Sequence, residues 1–264
     1  MKKLLFTAIF GATIIIGCKQ QPKTEKTTET VKTEKVTKNF SEAIETAHKK
    51  VVFLAKEAIQ FNAVINFGGN EILNADITVS TSSDIAKITY KNGDEIYVDK
   101  QDIFVSDGLK ENPGVRFHAY TWNYFFLFPY KLNDNGTKWD FNHTTEEANN
   151  NLKTAKLSFE ANTGDAPDDW YVVYKNNESD LLEHVAYIVT AGKTKEAAEA
   201  DPHAIKYTDY KEIEGISIAT NWDFYGWNSK DGLTDKIGNA KITNIKFVEG
   251  FRDGFSIPKN YIKK

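Results

Sequence analysis

The sequence predicts a mainly β (α+β) domain: an antiparallel sheet built by successive hairpins, with helices packed against it. Short runs of alternating apolar and polar residues recur from residue 61 to residue 248, divided by Gly, Asn and Asp turns. The gaps between these runs suit hairpins, whereas a parallel sheet needs longer helical crossovers. A single cysteine in 264 residues excludes an intrachain disulfide, so a chain that is 41% hydrophobic and 13% aromatic must be held by its core.

The first element is not part of that domain. Met1-Lys2-Lys3 is a short positive start, and Leu4 to Ile16 is an almost wholly apolar run. Thirteen residues are too few for a hydrocarbon core that needs about twenty, but suit a signal-peptide h-region. The run ends in Ile15-Ile16-Gly17-Cys18, which resembles the bacterial lipobox. That resemblance implies cleavage after residue 17 and acylation of Cys18 with palmitate-type chains. The membrane, through this lipid anchor, is the first expected partner. Lys19 stands where an Asp would favour inner-membrane retention, so the expected location is the periplasm-facing outer membrane of a Gram-negative cell envelope. Residues 18–39 hold the lipidated cysteine and a Lys-, Thr- and Glu-rich stretch without an aromatic, which reads as a disordered tether. About twenty such residues span roughly 25 Å.

Residues 40–264 are then one domain, of a size that β-rich folds reach. Loss of residues 1–17 takes the formal net charge from −4 to −6, and no basic stripe remains, which argues against nucleic acid as a partner. Ser41 is the expected cap of a helix running to Ala58, with Ile44, Ala47, Val51, Leu54 and Ala58 on one face and Phe40 as a staple. Residues 61–67 and 73–79 alternate around Gly68-Gly69-Asn70, a hairpin signal. Runs at 85–90, 95–98 and 103–105 extend a meander, and strands are expected at 156–160, 170–174, 185–190, 205–212, 216–225 and 240–248. Residues 116–130 differ: Phe117, Tyr120, Tyr124 and Phe128 share one helical face, while Trp122, Phe125 and Phe126 cover others. A helix apolar nearly all round is buried on several sides, and Pro129 is expected to end it.

At these residues a family resemblance emerges. The stretches Phe125-Phe126-Leu127-Phe128-Pro129-Tyr130-Lys131-Leu132, Asp169-Trp170-Tyr171-Val172-Val173-Tyr174 and Tyr207 to Ile216 resemble a family of uncharacterised lipoproteins from Bacteroidetes-type bacteria, a domain of unknown function. The order of tether, helix, meander, aromatic helix and further strands is similar to the LolA and LolB lipoprotein carriers. The resemblance implies a strongly curved antiparallel half-barrel wrapping helices, with acyl chains held between them. Those periplasmic carriers are soluble whereas this chain is expected to be tethered, and the apolar insertion loop of a LolB-like receptor is not identifiable in the sequence. Fold kinship alone does not carry function.

Catalytic signatures are absent. His48, His118, His143, His184 and His203 form no H-E-x-x-H, and no G-x-S-x-G, P-loop or G-x-G-x-x-G occurs. The acidic loop Gly164 to Asp169 lacks calcium-ligand spacing. A non-catalytic protein without metal or cofactor is expected. Phe117, Tyr120, Trp122, Tyr124, Phe125 and Phe128 are the candidate lining of a cavity for a lipid or other hydrophobic small molecule, set against the plainer reading that they pack a core. Two alternatives stay open: a protein–protein interaction module with a dry core, and a hydrolase using carboxylates such as Asp168, Asp169 or Glu183.

Overall fold

The computed structural model describes residues 39–146 and 152–264, so the expected signal segment, Cys18 and the tether as far as residue 38 lie outside the described residues. Alternating side chains and tight turns produce two meanders. The first comprises β1 (Ala58–Phe67), β2 (Asn70–Ser80), β3 (Ile85–Tyr90), β4 (Glu95–Asp99) and β5 (Asp102–Val105). The second comprises β6 (Thr137–Asp140), β7 (Leu152–Phe159), β8 (Tyr171–Asn176), β9 (Leu182–Tyr187), β10 (His203–Ile213), β11 (Ile216–Asn228) and β12 (Gly232–Val248). The first hairpin turns at Gly68 and Gly69, both at positive φ, as a two-residue loop whose twist matches its strands requires.

β12 returns to pair antiparallel with β1, from Ala58↔Val248 to Phe67↔Gly238. This seam joins the meanders, and the short β13 (Ile262–Lys263) pairs with β5. The result is one 13-stranded antiparallel sheet in the order β13-β5-β4-β3-β2-β1-β12-β11-β10-β9-β8-β7-β6, left open between β13 and β6. At the seam, a methyl on Gly238 would overlap the Asn66 carbonyl oxygen and crowd the Phe67 ring, so the close approach there needs glycine.

Period-two alternation sends one set of side chains to the inner face. Phe61, Ala63 and Ile65 on β1, Leu73, Ala75 and Ile77 on β2, Tyr171 and Val173 on β8, and Trp222 and Phe224 on β11 belong to one continuous buried cluster. A satellite core of Val172, Tyr174, Ala186, Ala204 and Trp227 lies on the other face of the same strands. There the Trp227 indole N–H donates to the Tyr174 hydroxyl at 3.2 Å. Sheet and core are contained within residues 44–263, and residues 38–264 form one compact unit.

The N-terminal helix differs from expectation. It is two pieces, α1 (Phe40–Ala47) and α2 (Lys50–Leu54), and strand, not helix, occupies Ala58. Asn39 rather than Ser41 caps α1, accepting from the Glu42 N–H at 2.9 Å while Glu42 reaches back to the Asn39 N–H. Ser41 instead donates to Asn133 at 2.9 Å. The break falls at Lys49, which is left-handed (φ 57°), a conformation a side chain with a Cβ adopts at a cost of about 1 kcal/mol. Rotation at this joint turns Phe53 inward and leaves Val51 and Leu54 outside, so Val51 and Leu54 do not continue the buried face of Ile44. The C-terminal segment crosses the outer face of β3–β5 as a strap. It includes a short helix (Phe251–Gly254), the Arg252 guanidinium bonded to both Asp84 oxygens at 2.6 and 2.8 Å, and the Tyr261 hydroxyl donating to Glu95 at 2.6 Å.

Candidate functional site

The aromatic segment forms α3 (Val115–Leu127), followed by a 3-10 turn over Phe128–Tyr130 that contains Pro129. Pro129 tightens the helix end rather than stopping it abruptly, since its fixed φ suits the first positions of such a turn. α3 lies on the inner face of the sheet and meets strands of both meanders. Phe126 stacks on Phe61 of β1 at 4.0 Å; Trp122 is 6.2 Å from Phe224 of β11; Phe125 is 4.9 Å from Tyr187 of β9. Tyr124 and Phe128 approach Tyr171 of β8 at 5.6 and 5.1 Å. From β10 the Tyr207 hydroxyl donates to the Phe125 carbonyl at 3.1 Å.

Of the six candidate lining residues, Trp122, Phe125 and Phe128 are buried, and Phe117, Tyr120 and Tyr124 are half-buried. The helical face shared by Phe117, Tyr120 and Tyr124 is therefore the more open one. Phe117 sits edge-on to Trp122 at 5.5 Å, and Tyr124 edge-on to Phe128 at 5.6 Å. The Tyr120 ring lies 5.3 Å from the Arg116 guanidinium, which pairs with Asp165. The Trp122 indole nitrogen is buried without a hydrogen-bond partner among the described residues.

The phenols around α3 are uncharged. Burial pushes the hydroxyls of Tyr124, Tyr171, Tyr187 and Tyr207 above the ordinary phenol range, so all four remain protonated. At the N-terminal end of α3, His118 Nδ1 and the Tyr90 hydroxyl share a hydrogen bond at 3.2 Å. Burial lowers the pKa of His118 and raises that of Tyr90 to about 12, which keeps this pair uncharged as well. A site lined by neutral rings and phenols can bind apolar matter.

The space between α3, α1 and the sheet is small as it stands. A cavity of about 10 Å³ is bounded by Phe126, Tyr130, His48, Tyr207, Tyr210 and Trp222, room for one water-sized sphere. None of the six candidate residues lines it. A wider, more open groove of about 230 Å³ runs along β2 and β3 past Leu73, Asn74 and Tyr90. Sequence reasoning missed His48, which is fully enclosed: its Nδ1 is 3.2 Å from the Ser217 carbonyl and its Nε2 accepts from the Leu182 N–H at 3.2 Å.

The carboxylates considered for hydrolysis are committed elsewhere or apart. Asp169 accepts from the Thr190 N–H and hydroxyl at 2.8 and 2.7 Å, while burial raises its pKa. Glu183 lies 3.7 Å from Lys206, and Asp168 is exposed on the loop before β8. Among the described residues no group of three or more His, Cys, Asp or Glu side chains is placed to hold a metal, and no helix is long and apolar enough to cross a membrane.

No family model and no curated protein matches the chain. Solved structures do. A LolA superfamily protein from Nitrosomonas europaea is 10% identical and superposes with a TM-score of 0.53, covering 81% of this chain and 97% of that one. A DUF1329 family protein from Desulfovibrio piger is 10% identical with a TM-score of 0.49, over 81% of this chain and 97% of that one. A putative outer membrane lipoprotein-sorting protein domain from Vibrio parahaemolyticus is 11% identical with a TM-score of 0.45, over 84% and 96%. The fold is therefore LolA-like: an unclosed antiparallel sheet consistent with a curved half-barrel around its helices.

Proposed function

We propose that the chain is an envelope lipoprotein, anchored through acylated Cys18, that takes up an acyl chain or a similar apolar ligand between α3 and the inner face of the sheet without chemical turnover. The observation that carries the reading is the seating of α3. A helix apolar nearly all round lies on an open sheet, held to it chiefly by ring contacts and by few directed bonds. Ring contacts tie up no hydrogen-bonding group, so an alkyl chain can replace them at little cost in unsatisfied polar groups. In this reading α3 moves outward to admit ligand, Phe117, Tyr120 and Tyr124 form its outer wall, and Trp122, Phe125 and Phe128 its floor. The LolA-like fold and the neutral aromatic lining support a hydrophobic ligand over a polar one, and the same kinship supports a Gram-negative envelope location. Residues 1–17 are then the signal peptide, 18–39 the lipidated tether and 40–264 the ligand-binding domain.

Native mass spectrometry with organic extraction, on residues 40–264 produced in the periplasm, tests the reading. The expected result is a co-purifying lipid that is lost in Tyr124→Glu/Phe128→Glu protein with an unchanged far-ultraviolet spectrum. A ligand-free protein that also fails to take up a fluorescent fatty acid overturns it. That outcome would favour the second reading, a protein-docking module with a dry core, for which the 10 Å³ size of the cavity already speaks.

A further inference from the structure

Three neighbouring apolar side chains stand in solvent on α2. Val51 is 84% exposed, and Val52 and Leu54 are each 45% exposed. They are firmly presented. Phe53, between them in sequence, is fully buried and stacks on Tyr130 at 3.7 Å, with Phe247 edge-on at 5.8 Å. Left-handed Lys49 turns α2 away from α1, so its outer side is a fixed tip rather than a fraying end. Single exposed apolar residues need no explanation, whereas a contiguous set on one rigid turn marks a contact surface. Of the flanking cations, Lys50 binds Glu45 at 2.7 Å and Lys56 pairs with Glu214, while Lys49 is exposed.

We infer that α2 is a membrane-contact tip, inserting Val51, Val52 and Leu54 into the headgroup–acyl boundary of a lipid bilayer. The inference rests in part on the anchored reading above. The chain outside the described residues ends where Asn39 caps α1, and α2 starts eleven residues later, so the tip lies one short helix beyond the point where the tether enters. α1 is eight residues long, which separates the tether's entry from the tip by only about 12 Å of helix. A protein partner fits poorly, because a stable interface needs about 800 Å² from each side and three side chains on a convex turn supply far less. A bilayer asks only that apolar side chains leave water. With Lys50 and Lys56 paired, Lys49 is left as a single cation beside three apolar side chains, so the apolar layer rather than headgroup charge supplies most of the contact.

The test uses the chain from Lys19 to Lys264, which lacks any acyl anchor and retains the whole sheet and core. It is floated with vesicles of zwitterionic phosphatidylcholine. The expected result is co-flotation that falls by at least about tenfold in V51E/V52E, a change of two solvent-facing side chains that leaves the thermal midpoint in place. A V51W variant is expected to be quenched by brominated phosphatidylcholine. Failure of the unaltered chain to float, or equal flotation of V51E/V52E, overturns the inference. So does binding confined to phosphatidylglycerol vesicles and abolished by high salt, or conversion of a dimer to a monomer by V51E/V52E, which would mark a self-association surface. Unacylated Cys18 in cells, with flotation intact, would overturn the anchor and leave the tip standing; acylated Cys18 with no flotation would do the reverse.

Discussion

At the scale of single residues, His48 ties α1 to the sheet and makes stability depend on pH. Its Nδ1–H donates to the Ser217 carbonyl and its Nε2 accepts from the Leu182 N–H, an arrangement open only to the neutral ring. Burial lowers its pKa from 6.5 to about 4. Because the unfolded chain binds the proton more readily, acid favours unfolding. The contribution is full above pH 6.5 and is lost as pH falls toward 4, by about 3 kcal/mol in total. Denaturant titrations at pH 7.5 and 4.5 are expected to show this loss, and His48→Gln to flatten it; equal slopes in both proteins would refute the assignment. Nothing in the sequence around His48 pointed to this role, because its partners lie 134 and 169 residues away in the chain. Phe125 and Trp122 were legible as buried, since an apolar helix admits few other environments, but which rings they would meet depended on strand order.

The elements were legible where local chemistry decides. Gly68-Gly69 between alternating runs marks a hairpin whatever surrounds it, and the 85–105 meander follows from the same period and turns. The helix expected over residues 41–58 failed because periodicity cannot detect a left-handed joint at a lysine: Val51 and Leu54 keep helical spacing yet face solvent. That joint makes its own prediction. Lys49→Gly relieves the Cβ strain and is expected to raise stability by up to about 1 kcal/mol, whereas Lys49→Val lowers it. Thermal melts of the two variants check the sign, and a stabilised valine variant would contradict the geometry. β6, four residues long with alternate exposure, and β13, two residues long, carry too little pattern for sequence to reveal; both are edge strands.

At the scale of the whole molecule, fold class and the LolA-like likeness were legible, but the seam between β1 and β12 was not, since alternation says nothing about which distant strands meet. The C-terminal strap was equally hidden. Removing residues 250–264 would uncover the β5 edge and Tyr97, and take away Arg252 and Tyr261 from Asp84 and Glu95. That truncation is expected to lower the melting midpoint by several degrees and to promote association, read by calorimetry and size-exclusion chromatography; a monomer of unchanged midpoint would show the strap to be dispensable. The seam also sets an order of assembly. β1 is synthesised about 180 residues before its partner β12. Until then the first meander has a bare edge at β1 and lacks the inner-face aromatics of β8 to β11 that α3 packs upon. Closing so long a loop is slow, and the waiting edge can pair with another chain. Biogenesis of this protein thus includes an interval in which half a sheet must be kept from its neighbours, and the rate at which β12 arrives governs how much of it is lost.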